Sequence, residues 1–193
     1  MEILQIDQKV LIWFNKTLVG HSHFLDLLLK FTGVYLIYAL PIILLLMWFL
    51  VKEAKKRLAL LASMTAVILS VLINKLIAHF WYRPRPDITT IGLKEVFFHR
   101  PDVSFPSDHA AVLLAITFAL YLFGFKKAGN WFLLYSLIIL FARVAIAIHY
   151  PLDMIGGAAV AFVAAIVIYL CRKSLTDYVY SPIISVLKKV HLA

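Results

Sequence analysis

The fold class of this chain is decided by residues 131–153, WFLLYSLIILFARVAIAIHYPLD. Up to residue 149 the run carries one charged side chain, Arg143, among apolar ones. A helix that spans a bilayer needs roughly 17 to 25 mostly apolar residues, so this run is long enough to cross. Pro151 then ends or redirects the helix, and Asp153 opens another apolar run. The stretch therefore predicts one span, a sharp turn and the start of a second span.

The rest of the chain has the same character. Of its 193 residues, 63% are hydrophobic and 15% are charged, and the mean hydropathy is +0.92. Such a composition leaves too few polar side chains to cover a soluble globule. Besides residues 131–149, apolar windows occur at 34–51, 58–82, 110–125 and 154–171. We therefore predict an all-α integral membrane protein, a bundle of five to six transmembrane helices in one membrane-embedded domain, 1–193.

The two ends of the chain predict amphipathic helices. Residues 3–18 mix apolar side chains with charged ones such as Asp7, which indicates an interfacial helix or a weak sixth span; we favour the interface. Residues 175–190 have a similar pattern, and we expect this helix to break at Pro182. Residues 21–30 are rich in leucine but interrupted by charges, so they could extend the first span.

The net charge of +9 arises from basic residues whose positions suit a membrane protein. Three groups follow the first, third and fifth windows: Lys52, Lys55, Lys56 and Arg57, then Lys126 and Lys127, then Arg172 and Lys173. Because loops alternate sides, the three groups share one side, which the positive-inside rule assigns to the cytoplasm. The loop 83–108 and the turn 149–153 then face outward together. No basic face remains for nucleic acid, which we do not expect as a partner.

One motif stands where the third window begins, in FPSDHA at residues 105–110. Ser107 is a favoured N-cap for the helix that follows. The free N–H groups and the positive dipole end of such a helix form an anion site, at which His109 in the first turn could point. An ordinary helix cap with His109 among the lipid headgroups would have the same residues.

A second constellation joins Arg143, His149 and Asp153. A charge within a span is costly and indicates function. A carboxylate four residues after a histidine can hold its imidazole in one tautomer and stabilise the cation, as a nucleophile or base requires. The alternative is a structural histidine–aspartate pair, with the arginine reaching to headgroups. Because this constellation shares one face with the FPSDH motif and with Arg83 and Arg85, we favour phosphate ester hydrolysis there.

At these positions the chain resembles the phosphatidic acid phosphatase type 2 family, the membrane relatives of glucose-6-phosphatase and the vanadium haloperoxidases. The family motifs are written K-x6-R-P, P-S-G-H and S-R-x5-H-x3-D, and they would cover residues 75–153. The third motif matches from Arg143 to Asp153 with Ala142 in place of serine. The second matches except that Asp108 replaces glycine. The pair F-P-S-D-H and H-Y-P-x-D in so short a chain resembles in particular the undecaprenyl-diphosphatases of the bacitracin-resistance type.

The first motif departs from the family pattern. With Arg85 as its arginine, the lysine position falls on Ala78, and Lys75 lies about one helical turn earlier. With Arg83 as the arginine, Lys75 is one position too far away. Lys75, His79 or Arg83 could supply the missing contact.

The resemblance implies two successive displacements through a phosphohistidine. His149 would attack the terminal phosphorus, Asp153 would orient its ring, and His109 would protonate the leaving oxygen and then activate water. The substrate-binding set would be Arg85, Arg143, Ser107, Asp108, Arg83 and Lys75. Among these Asp108 is awkward beside a phosphate, so it would cap the helix or position His109 or Arg143.

No cofactor is expected for this chemistry. Two arginines can take the place of a divalent cation at a phosphoryl group, and the motifs contain no carboxylate cluster of the metal-ligand type. We therefore predict no metal site and turnover without metal ions.

The substrate prediction follows from the place of the site. An outward-facing site at bilayer depth suits a lipid diphosphate, and a polyprenyl diphosphate fits. We predict hydrolysis of undecaprenyl diphosphate to undecaprenyl phosphate at the outer face of the plasma membrane, which recycles the cell-wall carrier lipid. Phosphatidylglycerophosphate or another lipid phosphate would fit almost as well. A transporter should show discontinuous helices in repeated halves, and a phosphate-responsive scaffold would lack turnover; neither is favoured.

Overall fold

The computed structural model describes residues 2–97 and 102–189. These residues form seven helices: α1 (Glu2–Leu18), α2 (His23–Leu50), α3 (Ala54–Phe80), α4 (Asp108–Leu122), α5 (Lys126–Ala145), α6 (Pro151–Leu170) and α7 (residues 172–189). The described residues contain no strand, and one isolated antiparallel bridge joins Pro84 to Val103. The prediction of an all-α membrane protein is confirmed.

Five helices correspond to the five predicted windows. Four of them, α2, α3, α5 and α6, are long and apolar enough to cross a membrane. The fifth, α4, is shorter, but it connects the two ends of the bundle. The N–H of Ser107, just before α4, donates to the carbonyl of Asp153 at the start of α6. At the other end, Leu122 lines a cavity with Lys55 and Arg172.

Small residues bring α4 and α6 into close contact. The buried residues of each helix include four small ones: Ala110, Ala111, Ala115 and Ala119 on α4, and Gly157, Ala161, Ala164 and Ala165 on α6. Such residues let helix backbones approach closely in membranes. A side chain at Gly157 would lie 2.5 Å from the Ser107 carbonyl oxygen. Glycine there permits the approach that places Asp153, one turn earlier, beside the start of α4.

The first span begins earlier than the window 34–51 indicated. Helix α2 starts at His23 and includes a wide π turn at Phe31–Tyr35 and a tight 3₁₀ turn at Leu36–Ala39. This irregular part precedes Pro41, whose missing N–H removes one helical hydrogen bond. Gly33 in the π turn packs against α5, where a side chain would come within 3.0 Å of Ile146.

The tail differs from the prediction in one respect. Helix α7 does not break at Pro182, because the change of helix type comes before the proline. A π turn at Thr176–Tyr180 lets the N–H of Ser181 reach the carbonyl of Thr176, and an α-helical segment continues over Ser181–Lys189. Pro182 thus stands in the first turn of a helical segment, where proline is well tolerated. Residue 190, the predicted end, lies outside the described residues.

Helix α1 turns two of its polar side chains, Asp7 and Asn15, inward. Asp7, Leu11 and Asn15, spaced one turn apart, are its buried residues, while Ile6 and Trp13 are exposed. The exposed fraction of Asp7 is 3%. The exposed residues of α1 include the charged Lys9 and Lys16 beside apolar ones, which suits a helix that packs on the bundle at the membrane interface.

Asn15 anchors this helix to the rest of the protein. Its Nδ2 donates to the carbonyl oxygens of Ala145 and Lys94, each at 3.1 Å. The N–H of Lys94 donates in return to Asn15 Oδ1 at 2.9 Å. Helix α1 is therefore fixed to the end of α5 and to the loop that follows α3.

Candidate active site

The end of α5 is shaped to present His149. The N–H of Ile148 donates to the carbonyl of Arg143, and the N–H of Ala147 donates to that of Val144, which is the Schellman pattern of helix termination. Ala147 occupies the left-handed position with φ 57°. That conformation costs a residue other than glycine about 1 to 2 kcal/mol. The helix therefore ends at Ala145, earlier than the window 131–149 predicted, and the chain turns so that His149 faces inward.

The hydrogen bonds of His149 define its tautomer. Its Nδ1 lies 3.0 Å from the backbone carbonyl oxygen of Ser104, which can only accept. We infer that Nδ1 carries the proton and that Nε2 has a free lone pair. Asp153 Oδ2 lies 3.4 Å from the same Nδ1. The ring is thus fixed in the form that a nucleophile or base requires.

The protonation state of His149 agrees with that role. Its exposed fraction is 2%. Burial lowers the pKa of His149 to about 4, and the hydrogen bond with Asp153 acts in the opposite direction. The imidazole is therefore neutral near pH 7.

Asp153 is surrounded by donors. Its Oδ1 accepts from Arg83 Nη1 at 2.8 Å, and its Oδ2 accepts from the hydroxyl of Ser104 and from the N–H of Tyr150, the latter at 2.9 Å. The carboxylate is fully buried. These contacts hold it in one orientation against His149.

The guanidinium of Arg83 is bound by side chains of the protein. Its Nη2 donates to Asp7 Oδ2 at 2.5 Å, and its guanidinium carbon lies 4.0 Å from the ring centroid of Tyr150. Together with the contact to Asp153, these interactions occupy both Nη groups. The geometry gives Arg83 a role in holding Asp153.

His109 and Arg143 meet directly. Arg143 Nη1 lies 3.0 Å from His109 Nε2 and 2.7 Å from the carbonyl oxygen of Gly33. Since a guanidinium can only donate, His109 Nε2 accepts in this state. Among the described residues, the buried Nε of Arg143 has no hydrogen-bond partner. The irregular turn of α2 thus supplies the carbonyl that holds an arginine inside the bundle.

Arg85 lies beside the loop that carries His149. Its Nε donates to Asp102, which is exposed, and its Nη1 lies 3.5 Å from the carbonyl oxygen of Ile148, next to His149. In the described part of the chain, its Nη2 has no hydrogen-bond partner. Arg85 therefore retains a donor that could bind an anion in front of His149.

Ser107 and Asp108 have structural contacts at the start of α4. Ser107 is the N-cap, and its hydroxyl accepts from the N–H of Ala110 at 3.4 Å. Asp108 Oδ1 accepts from Asn74 Nδ2 at 2.9 Å, which ties α4 to α3. Asp108 also places negative charge in the first helical turn, where the dipole favours it.

The structure does not bring every candidate into this site. Lys75 is exposed on α3, and within the described chain no hydrogen bond or ion pair joins it to the other candidate residues. His79 is exposed too, and its ring packs against Phe80 at 5.0 Å. Neither side chain takes the place of the family lysine in this structure. Ala78, at the lysine position, has no polar group. The buried polar residue on this face of α3 is Asn74, one turn earlier.

Three site residues escaped the sequence reasoning: Asp7, Asn74 and Ser104. All are buried. Asp7 did carry a signal, because it repeats with Leu11 and Asn15 at one-turn spacing. Ser104 and Asn74 carried none, since a lone serine in a loop or asparagine in a span fits many surroundings.

Comparison with known proteins shows which family the chain belongs to. The model of the PAP2 superfamily matches residues 58–177. Undecaprenyl-diphosphatase BcrC of Bacillus subtilis is 33% identical over 74% of this chain and 72% of that protein. Bacitracin transport permease protein BcrC of Bacillus licheniformis is 28% identical over 72% of this chain and 68% of its own. The crystal structure of Aquifex aeolicus LpxE matches with a TM-score of 0.68 at 21% identity, over 84% of this chain and 94% of that chain.

The chain therefore belongs to the PAP2 superfamily. It is a multi-pass membrane protein of the lipid phosphatase class, as the family, its apolar helices and its relatives together support. The likeness to LpxE concerns the fold alone. The sequence-based assignment to this family is confirmed.

Proposed function

We propose that this protein hydrolyses undecaprenyl diphosphate to undecaprenyl phosphate and inorganic phosphate through a phosphohistidine at His149. The observation that carries the proposal is the state of His149, whose Nδ1–H is directed at the Ser104 carbonyl while no group of the described residues forms a hydrogen bond with Nε2. Arg143 and Arg85 lie beside it as anion-binding groups. The resemblance to an undecaprenyl-diphosphatase supports the choice of substrate.

The reaction proceeds in two displacements. His149 Nε2 attacks the terminal phosphorus, the bond to the bridging oxygen breaks, and His109 delivers a proton to the leaving undecaprenyl phosphate. Water, deprotonated by His109, then attacks the phosphohistidine, breaks the N–P bond and releases phosphate. Arg143 now donates to His109, so a bound phosphoryl group has to take over that donor to free His109 Nε2. Positive charge fixed in advance accounts for most of phosphoryl-transfer catalysis.

A groove beside the site suits the lipid tail. It has a volume of about 640 Å³ and lies between α2, α3 and α4, with Ile183 of α7 also in its wall. On α4 its wall is formed by Val112 and Ile116, one and two turns after His109 on the same face of the helix. The groove continues to Trp48, near the C-terminal end of α2. A headgroup at His109 would thus leave its chain in an apolar channel open to the bilayer.

A purified-protein assay tests the whole proposal. We expect phosphate release from undecaprenyl diphosphate in detergent with EDTA present, because arginine side chains supply the positive charge. Phosphatidylglycerophosphate is the competing substrate, and its faster hydrolysis at equal concentration would replace the proposed one. No release from any lipid phosphate would refute the enzymatic proposal.

We propose further that the site faces outward. The basic groups at 52–57, 126–127 and 172–173 lie at the helix ends opposite to the site: α3 and α5 begin there, and α6 ends there. That distribution favours a cytoplasmic location for the basic end.

Cysteine labelling tests this orientation. Cys171, the sole cysteine of the chain, is exposed at the basic end. In intact cells an impermeant thiol reagent should label Thr90→Cys in a Cys171→Ser background. It should label wild-type Cys171 only after permeabilisation. The opposite pattern would reverse the orientation.

Alanine variants test the phosphate ligands. Hydrogen bonds to charged groups are worth about 1.5 to 3 kcal/mol, so Arg85→Ala should lower kcat/KM roughly 10- to 100-fold. Lys75→Ala should be nearly silent, because that side chain is exposed and forms no hydrogen bond or ion pair with the site residues in the described chain. Arg83→Ala should lower kcat more than it raises KM, because Arg83 acts through Asp153.

Steady-state kinetics of the three purified variants, each with its Tm, measure these differences. A silent Arg85→Ala would remove Arg85 from the phosphate site. A raised KM with unchanged kcat in Arg83→Ala would instead place Arg83 on the substrate.

A further inference from the structure

Asp7 is a buried carboxylate that neither the family motifs nor the matched region 58–177 includes. It lies on α1, with Oδ2 2.5 Å from Arg83 Nη2. Its Oδ1 accepts from the N–H of Leu152 at 2.9 Å, in the first turn of α6. One carboxylate therefore binds both the arginine that holds Asp153 and the helix that carries Asp153.

These contacts form a continuous chain to His149, in which Asp7 and Asp153 are buried and Arg83 is partly exposed. Asp7 binds Arg83, Arg83 Nη1 binds Asp153 Oδ1 at 2.8 Å, and Asp153 Oδ2 lies 3.4 Å from His149 Nδ1. The ring of Tyr150 packs on the Arg83 guanidinium and so helps to fix it between the two carboxylates.

The order of charges along the chain gives Asp7 an electrostatic role. Asp153 has to stabilise the cationic form that His149 acquires when it attacks phosphorus. An arginine at hydrogen-bond distance opposes that effect, because its positive charge offsets the carboxylate. A second carboxylate on the far side of Arg83 compensates the arginine, so that the negative potential at His149 is maintained while Arg83 still fixes the orientation of Asp153.

We propose that Asp7 of the N-terminal helix is a positioning residue for the phosphoryl transfer, acting through Arg83 on the orientation and charge of Asp153. The inference rests on the proposed function, because it needs His149 as nucleophile. It assigns α1 a part in the reaction besides its packing on the bundle. Helix α1 completes the active site from outside the region that the family model covers.

The test compares Asp7→Asn with Asn15→Ala on the same helix. Asparagine has the shape of aspartate and keeps an oxygen for the Leu152 N–H, but it removes the charge. We expect kcat to fall about 10- to 100-fold, the range known for residues that orient a ligand of an active site, with little change in KM. Asn15→Ala removes an anchor of α1 without touching the charged chain, so it should lower Tm and largely retain kcat.

A double-mutant cycle separates positioning from packing. If Asp7 acts through Arg83, Asp7→Asn should cause no further loss of kcat in an Arg83→Gln background. It should also raise the Tm of that background, since it removes a buried carboxylate that has lost its partner. The double variant, which contains neither charge, also serves if one single variant does not fold.

Several results would overturn the inference. One is a wild-type kcat in Asp7→Asn or in the double variant. A second is a set of kcat losses that add fully across the cycle. A third is a kcat loss in Asn15→Ala as large as that in Asp7→Asn. Failure of the proposed function looks different, because wild-type protein would then release no phosphate from lipid diphosphates. If wild type and Asn15→Ala are active and Asp7→Asn equals them, only the role of Asp7 is refuted.

Discussion

Replacing His149 by alanine should reduce phosphate release from undecaprenyl diphosphate by roughly a thousandfold or more, the scale seen when a catalytic nucleophile is removed. The structure offers no second nucleophile at that place within the described residues, since Asp153 is enclosed by donors and His109 contacts Arg143. The measurement is phosphate release by purified protein, together with the trapping of an acid-labile phosphoprotein from substrate labelled in its terminal phosphate.

Two further variants make this result specific. His149→Asn keeps a side-chain N–H that can reach the Ser104 carbonyl but lacks Nε2, so it should be as inactive as His149→Ala while losing less Tm. His79→Ala removes an exposed histidine of α3 and should behave as wild type. Near-normal turnover in either His149 variant would end the phosphohistidine proposal.

The spans were predictable because a bilayer imposes a simple rule on sequence. Residues that cross it must be apolar over a sufficient length, and five such windows correspond to helices α2 to α6. The predicted helix boundaries were less accurate where the local backbone conformation sets them. Helix α5 stops before residue 149 because Ala147 takes a left-handed conformation. An alanine in the sequence does not indicate such a conformation. Helix α2 passes Pro41 by changing its helix type beforehand, so its leucine-rich start remains part of the span.

The orientation of α1 went unrecognised for a physical reason. Amphipathic patterns show which side chains share a face, but not whether that face meets water or protein. The exposed residues of α1 include both apolar and charged side chains, whereas Asp7 and Asn15 face the bundle. A polar side chain among buried ones then acquires specific partners, which is how Asp7 comes to bind Arg83.

Arg83 and Arg85 show how far motif reasoning reaches. Both belong to the R-P-R-P run at residues 83–86, which the sequence analysis assigned to the predicted phosphate site, and the structure gives them different partners. Arg83 faces Asp7 and Asp153, whereas Arg85 faces Asp102 and the Ile148 carbonyl. The partners of Arg83 are 76 and 70 positions away, and no periodic pattern reports such contacts. Motif spacing identified both arginines as candidate site residues. Only the fold shows that they have different partners.

Replacing His109 by alanine should lower turnover of undecaprenyl diphosphate by about 100- to 10,000-fold, the usual contribution of general acid–base catalysis. The loss should depend on the leaving group. An aryl phosphate with a nitro-substituted ring needs little protonation, so the first displacement should survive in His109→Ala. The second should stay slow, because water activation also requires His109. Rapid mixing should therefore show a burst of nitrophenolate equal to the enzyme, followed by slow turnover and accumulation of phosphohistidine.

The contact with Arg143 suggests the decisive control. His109→Gln removes the acid–base group but provides an oxygen that can accept from Arg143 Nη1, as His109 Nε2 does in the structure. If His109 transfers protons, the glutamine variant should be as slow as alanine on the lipid diphosphate and show the same burst on the aryl phosphate. If His109 only holds Arg143, glutamine should restore much of the activity. Equal losses on both substrates without any burst would contradict the proposed order of proton transfers, because they would show that His109 is needed before a leaving group has to be protonated.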